Sequence, residues 1–312
     1  MRLLPGGRSK QTYVISVAPH DEVPSRMVLR QDASAFAVDT VRGPTTIGEE
    51  LPILSVLSER GYPVPRPILF ETAANDLGQP FILLEHCEGS MGGDRFSGFY
   101  EPSRPAFEDL AAWLARVHAI PLHELDFGED ALHSAEELMN REVTFRWQRW
   151  RRDAVEASPI IECAFAWLLH ACSFGLGKPS VVHGDAGPHN LLIDQGRISA
   201  ILDWELIHVG DPAEDLAYVR SAIEKQFPWP EFLDIYYRSG GQPIDERRLK
   251  IFSVYVLVRN ASLSACAART FIEGGSDDFM IGAIGVVPIP FIENQLIALI
   301  GDEVASAPGS VS

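Results

Sequence analysis

The tightest constraint on this chain lies in residues 181–205. There the run Val181-Val182-His183-Gly184-Asp185-Ala186-Gly187-Pro188-His189-Asn190-Leu191-Leu192-Ile193-Asp194 is followed by Ile198-Ser199-Ala200-Ile201-Leu202-Asp203-Trp204-Glu205. Apolar residues on both sides of Gln195 to Arg197 read as two strands of a hairpin. Folding about a turn of about two to four residues sets Asn190 opposite Asp203, or within about two residues of it, where cross-strand Cβ atoms lie roughly 4.5–5.5 Å apart. An amide oxygen and a carboxylate converging at the open end of a hairpin form a small hard-oxygen site of the kind magnesium prefers.

Asp185 precedes Asn190 in a loop held open by Gly184, Gly187 and Pro188. A carboxylate on such a loop, beside that metal, is placed to accept a hydroxyl proton during phosphoryl transfer. Taken singly, the three residues read as a cap, a turn asparagine and a strand-end aspartate. Taken together, four fixed residues at this spacing arise by chance in roughly one chain in a thousand at average residue usage.

The segment resembles the H-G-D-x-x-x-x-N and I-D-W-E motifs of the aminoglycoside phosphotransferase and choline kinase-like family, with Leu202 in place of the isoleucine. These are the counterparts of the catalytic loop and D-F-G of protein kinases. Gly210-Asp211-Pro212-Ala213-Glu214-Asp215-Leu216-Ala217 is similar to that family's G-D-P-x-x-D-L-A block. The resemblance implies Asp185 as catalytic base and Asn190 and Asp203 as magnesium ligands, with His183 and Asp215 bracing the loop. Glu205 reads equally as a contact to metal-bound water or as a solvated side chain. His183-Gly184-Asp185 lacks the arginine that follows histidine in protein kinases, and the stretch from Asp203 to Asp215 is too short for their activation segment.

The resemblance extends upstream. Gly6-Gly7-Arg8-Ser9-Lys10-Gln11-Thr12-Tyr13 looks like the family's phosphate loop, with Gly7 and Ser9 as the implied nucleotide contacts. Arg30 ends the run Met27-Val28-Leu29-Arg30 where the family has a cation, commonly lysine, on the α- and β-phosphates. Glu50 stands where the family has the glutamate that orients it. Lys10, where many members carry asparagine, reads as either a phosphate contact or an exposed side chain. Phe81 to Gly89 looks like the interlobe hinge, where the backbone of Glu85 and Cys87 would bond adenine. His118 reads as a packed structural residue.

Local patterning adds an architecture. Strands are expected at Thr12 to Val17, Arg26 to Arg30, around Phe70 and at Phe81 to Glu85. A helix fits Gly48 to Arg60, with Pro52 in its first turn and Gly61 at its end. Gly89 to Gly98 reads as a linker. Helices are then expected at Phe107 to His118, Ser134 to Val155, Pro159 to Phe174, Asp215 to Ala222, Trp229 to Ser239 and Asp245 to Arg269. The expected fold is α+β, kinase-like and two-lobed: residues 1–88 form a small antiparallel-sheet nucleotide lobe, and residues 89–312 a larger helical lobe with the catalytic loop and substrate site. A ligand is expected in the cleft between such lobes.

Composition limits the partners. At 312 residues, 46% hydrophobic and 22% charged, the chain is ordinary globular material, and its net charge of −17 disfavours nucleic acid and anionic membranes. The acids near the C-terminus, Glu273, Asp277, Asp278, Glu293, Asp302 and Glu303, read more readily as surface charge than as the lining of a site for a cationic substrate. Met1 to Lys10 has no apolar core of signal-peptide length, and Pro288, Pro290 and Glu293 interrupt the apolar stretch Ile281 to Ile300. With four scattered cysteines, a cytoplasmic protein without a disulfide framework is expected.

The resemblance therefore implies a small-molecule kinase that moves the γ-phosphate of ATP or GTP, with Mg2+, to a hydroxyl of an unidentified metabolite. The apolar run Phe252 to Asn260 resembles the branch related to acyl-CoA-dehydrogenase-associated kinases better than the resistance enzymes. Two alternatives stand beside it: an aminoglycoside or macrolide phosphotransferase, and a nucleotide-binding regulator without turnover.

Overall fold

The computed structural model describes residues 2–3, 10–18, 24–32, 39–40, 43–44, 46–72, 77–94 and 98–305. The chain packs into two compact units that interleave along the sequence. Unit 1 comprises Met1–Gly128, Ser180–His208 and Tyr218–Pro243; unit 2 comprises Glu129–Pro179, Val209–Ala217 and Ile244–Ser312. The motif-bearing segment 180–208 packs in the same unit as the N-terminal sheet.

Unit 1 is built on a five-stranded antiparallel sheet. Its strands are β1 (Arg2–Leu3), β2 (Lys10–Ser16), β3 (Arg26–Asp32), β4 (Pro67–Glu71) and β5 (Phe81–Glu85), in the order β1-β2-β3-β5-β4. The β2–β3 register sets Thr12 against Arg30, and the β3–β5 register sets Arg30 against Ile82. Side chains alternate across a pleated strand, so Met27 and Leu29 enter the core while Arg30 projects from the other face.

Helix α1 (Ile47–Glu59) packs on β3, β4 and β5, burying Ile47, Leu54 and Leu57. Its start is fixed by Glu49, whose Oε2 accepts from Thr46 N at 2.7 Å and Thr46 Oγ1 at 3.0 Å, half of a capping-box exchange. Because α1 begins at Ile47, Pro52 lies beyond the first turn rather than within it, where its missing N–H removes one helical bond.

The expected linker at Gly89 to Gly98 is partly sheet. Strand β6 (Ser90–Met91) adds to the motif hairpin, pairing Met91 with Leu192 and Ser90 with Ile193. Helix α2 (Arg104–His118) is capped by Ser103, which accepts from Ala106 N. His118 is buried and its Nδ1 lies 2.8 Å from Tyr236 Oη, a packed structural role as expected.

Unit 2 is helical. Its helices are α3 (Ala135–Asp153), α4 (Pro159–Ala171), the first residues of α5 (Ala213–Glu224), α7 (Glu246–Ile272), α8 (Phe279–Val286) and α9 (Pro288–Ala305); α6 (Trp229–Arg238) belongs to unit 1. Helix α7 is the axis of the core: Phe252, Tyr255 and Val258 pack with Val143, Phe165, Leu168 and Leu296. The apolar run Phe252 to Asn260 is therefore core.

Both α7 and the span 279–304 are long and apolar enough to cross a membrane by length and composition. The first is mostly buried within the unit, and the second is two helices parted at Val287, where Pro288 opens α9. Among the C-terminal acids, Glu273, Asp277 and Asp278 are exposed. Glu303 bonds Lys250 and Trp167, and Glu293 accepts from Ser158.

Candidate active site

The hairpin forms as its sequence demands. Strands β8 (Leu191–Asp194) and β9 (Arg197–Ile201) follow β7 (Ser180–Val182) and pair from Leu191 with Ile201 to Asp194 with Arg197. The turn is two residues, Gln195 and Gly196, with φ of 49° and 74°, and Arg197 already belongs to β9. Two positive φ values match the primed turns whose twist suits a two-residue hairpin, and glycine meets that demand at Gly196 without strain. Ser199 bulges out of the register, and its Oγ donates to Glu88 O at 2.6 Å, tying the end of β5 to the hairpin. Leu202 N–H donates to Asn190 O at 2.8 Å, so Asn190 lies opposite Leu202, one position from Asp203 and within the expected offset.

The loop before Asn190 is fixed from inside. Gly184 has φ of 81°, and a Cβ there would lie 2.8 Å from Leu206 O, so conformation and space both require glycine. Asp185 N–H donates to His183 Nδ1 at 3.2 Å, which leaves His183 Nε2 as the protonated nitrogen facing Leu202 O at 3.2 Å. A single neutral tautomer serves both bonds and braces the loop against the hairpin, with the ring packed on Trp204.

Asp185 is buried, and its Oδ2 lies 3.0 Å from Asn190 Nδ2 and 3.3 Å from His189 Nε2. Asn190 Nδ2 also donates to Asp185 O at 2.9 Å. With the donor side of the amide committed to Asp185, the amide oxygen is what Asn190 has to offer a ligand.

A row of alternating charges leads into the hairpin end. Asp32 Oδ1 lies 2.7 Å from Lys10 Nζ, which lies 3.7 Å from Glu50 Oε1. Glu50 Oε2 lies 2.8 Å from Arg30 Nη1, and Arg30 Nη2 lies 3.3 Å from Asp203 Oδ1. The row joins β2, β3, α1 and the residue after the hairpin, and its three carboxylates outnumber its two cations. Burial would lower the Arg30 pKa, but Glu50, Asp203 and Glu205 outweigh it and hold the guanidinium above its ordinary value. Burial pushes Glu50 the other way, above the usual carboxylate range, and Arg30 and Lys10 only partly oppose this. Asp203 has φ of 64° and ψ of 66°, left-handed backbone that few residues other than glycine adopt. Its side chain is 34% exposed and that of Glu50 1%, so of the two acids that meet Arg30 only Asp203 can be reached by a ligand; Asp32, at the other end of the row, is 37% exposed.

At the end of β5, Glu85 N–H is used by Arg66 O at 2.9 Å. Burial, with Glu85 and Glu88 nearby, pushes the Cys87 thiol up to about 11. Gly7 and Ser9 lie outside the described residues.

The family model described as the phosphotransferase enzyme family matches residues 1–252. The chain belongs to that family. Curated relatives of this phosphotransferase-family chain include acyl-CoA dehydrogenase family member 11 of Rattus norvegicus, 26% identical over 216 residues that make up 66% of this chain and 27% of that one. Another is acyl-CoA dehydrogenase family member 10 of Mus musculus, 29% identical over 217 residues, 68% of this chain and 19% of that one. The chain thus matches about a quarter or less of the length of these relatives.

Among solved structures, a Ralstonia eutropha protein provisionally named an aminoglycoside phosphotransferase aligns with a TM-score of 0.72 at 18% identity, covering 95% of this chain and 90% of that one. A macrolide 2'-phosphotransferase type I aligns at 0.63 and 21% identity, covering 94% and 89%. At such identities the likeness is one of fold: the antiparallel sheet with α1, and the helical remainder, are those of the kinase-like phosphotransferases.

Within unit 1, Asp185 and Asn190 are joined by hydrogen bonds, Asn190 pairs with Leu202 next to Asp203, and Asp203 meets Arg30, which in turn meets Glu50. Lys10 is buried in their ion row, which corrects the reading of it as exposed. Asp32 was not singled out from the sequence. It accepts from Lys10 and also lies 3.3 Å from Ile47 N, at the first residue of α1, so it binds strand to helix. The only sequence signal for it was its position two residues after Arg30, in a strand expected to stop earlier.

Proposed function

We propose that this chain is a small-molecule kinase that transfers the γ-phosphate of ATP or GTP to a hydroxyl of a metabolite. In this reading residues 1–88 supply the nucleotide-binding elements and residues 89–312 the catalytic loop and acceptor site. The observation that carries it is the joint placement of Asp185, Asn190 and Asp203 on one braced loop and hairpin, with Arg30 bonded to Asp203. Bound nucleotide in a neighbouring fold, an aminoglycoside phosphotransferase in complex with ADP and hygromycin B, supports the cofactor side of the reading.

The residues present fit Mg2+. Asn190 brings an amide oxygen and Asp203 a reachable carboxylate, both hard donors, and the ion row carries one negative charge in surplus. Asn190 and Asp203 would hold it, and when bound it neutralises and orients the phosphate oxygens.

The other roles fall to the chain itself. Arg30 offers a fork of donors, one nitrogen on Glu50 and the other on Asp203, and the second is the one that turns to phosphate. Asp185, held by Asn190 and His189, orients the acceptor hydroxyl and takes its proton as the phosphoryl group is transferred. Glu85 C=O and Cys87 N–H are the groups an adenine or guanine edge would meet. Such a reaction asks mainly for positioning and charge neutralisation, which this site supplies without a covalent intermediate.

The acceptor is proposed as a small hydroxylated metabolite, in a cytoplasmic setting and without nucleic-acid or membrane partners. A second reading, an aminoglycoside or macrolide acceptor, is favoured by the neighbouring structures. ADP release with Mg2+ and ATP, measured across aminoglycosides, macrolides, sugars and hydroxyacyl thioesters, separates the two. Release stimulated only by the antibiotics would replace the metabolite reading. Nucleotide binding with no stimulation by any acceptor would favour a regulator without turnover.

A further inference from the structure

The ion row contains more charge than phosphate binding by Arg30 requires. Lys10 is the first residue of β2, immediately after segment 4–9, and its side chain is only 4% exposed. Taking an ammonium out of water is costly, so a lysine in this place needs compensating partners. Its nearer partner, Asp32, is 37% exposed and also meets the first N–H of α1. Its farther partner is Glu50, 1% exposed, which faces Lys10 through Oε1 and Arg30 through Oε2. Glu50 thus meets cations carried on two different strands, bonded by Arg30 at 2.8 Å and paired with Lys10 at 3.7 Å, an ionic contact longer than a hydrogen bond that leaves the buried Oε1 without one.

The two grips have different futures once a nucleotide binds. Arg30 is shared between Glu50 and Asp203, and both its charge and that of Asp203 lie on the side where phosphate and metal would arrive. Lys10 is shared between Glu50 and Asp32, which sits at the far end of the row. When Arg30 turns part of its fork to phosphate, Lys10 is the cation left to hold Glu50.

We propose that Lys10 is a positioning residue for the nucleotide: it holds Glu50 from the side opposite Arg30, so that the Arg30 guanidinium can serve phosphate while α1 stays in place. This rests on the phosphotransfer reading above. It assigns the Lys10–Asp32 pair, a lysine and an aspartate on neighbouring strands at paired positions, to the nucleotide site rather than to the sheet alone.

The test is a double-mutant cycle on binding of the Mg2+–ADP complex, followed by calorimetry. Lys10→Met is expected to weaken binding about tenfold, about 1.4 kcal/mol. Lys10→Arg, which keeps the charge, is expected to stay within about threefold of wild type. In a Glu50→Gln background, Lys10→Met is expected to add less than about twofold, because its effect runs through Glu50. Since Lys10→Met strands Asp32, the cycle is repeated with the pair-neutral Lys10→Gln/Asp32→Asn, whose folding is checked by circular dichroism.

Wild-type affinity in a folded Lys10 variant would overturn the proposal while leaving the kinase reading intact. Undiminished effects of Lys10→Met in the Glu50→Gln background would overturn it as well, pointing to direct phosphate contact. A wild-type protein that binds no Mg2+–ADP would overturn both readings.

Discussion

Two sets of buried charges, one taken from each unit, differ in how they are balanced. In unit 2, Asp211 accepts from Arg248 Nε at 3.0 Å, Arg248 Nη2, Gly177 N and Ala213 N, and Glu214 pairs with Arg259 at 3.0 Å. Each of these two acids is paired with a guanidinium, and all four side chains are buried. In unit 1 the row Asp32–Lys10–Glu50–Arg30–Asp203 has an acid too many, ends on a partly exposed carboxylate, and places that carboxylate on left-handed backbone. The balanced pairs are finished structures, and breaking them leaves a buried charge without compensation. The unbalanced row has one acid more than its cations pair with, and in the proposed reading that leaves the Asp203 carboxylate free to serve a divalent cation.

The comparison can be broken most severely at Asp203 and Asp185. Asp203→Asn should remove the surplus charge, leave the free energy of unfolding within about 0.5 kcal/mol of wild type, and still lower turnover by at least about a thousandfold, about 4 kcal/mol of barrier. Asp185→Asn should lower turnover as strongly with nucleotide affinity kept. Near-wild-type turnover in Asp185→Asn would remove it as the base.

The same kind of change in unit 2 should act on stability instead. Asp211→Asn or Arg248→Met is expected to cost about 3–5 kcal/mol in urea unfolding, because one partner of a buried pair is left behind. A loss below about 1 kcal/mol would mean that the pair is not the structural element its geometry suggests.

Glu50 sharpens the contrast through pH. Its carboxyl is raised in the folded state, so its contribution to stability is fully present below the unfolded glutamate pKa of about 4.3 and is lost as pH rises through the higher folded value. Glu50→Gln should therefore flatten the fall in thermal stability above about pH 4.3, while weakening nucleotide binding. An unchanged pH slope would contradict the raised value. The smallest effect belongs to the turn: Gly196→Ala should cost about 1 kcal/mol, since its φ of 74° is left-handed, and should leave turnover of the folded enzyme unchanged.

How far these contrasts were legible in the sequence depends on whether their causes are local. Strand β5, Phe81–Glu85, was readable to the residue, and α1 to α7 to within a few residues at each end, because side-chain periodicity and caps are local signals; α8 and α9 were missed, since the stretch from Ile281 to Ile300 is largely apolar and its prolines read as interruptions rather than as the start of α9. The hairpin was readable because Gln195-Gly196 has turn chemistry between two apolar strands, although the turn proved shorter than its widest allowance.

The Lys10–Asp32 bond was not readable. It depends on the β2–β3 register, which pairs Lys10 with Asp32, and on the docking of α1, whose first N–H meets Asp32. Strand β6 escaped notice because two residues carry no periodicity, and it exists only as an addition to β8. The acidic C-terminal residues looked ambiguous because charge in a sequence carries no position; exposure and local pairing with Lys250 and Ser158 resolve it.

The most direct test of the central claim separates metal holding from proton transfer. Mn2+ in place of Mg2+ allows the metal–nucleotide complex on the protein to be followed by electron paramagnetic resonance. The expected result is that Asp203→Asn and Asn190→Ala abolish the protein-bound Mn2+–ADP signal, while Asp185→Asn keeps it. A signal that survives Asp203→Asn, or is lost equally in Asp185→Asn, would contradict the division of labour assigned to the hairpin and its loop.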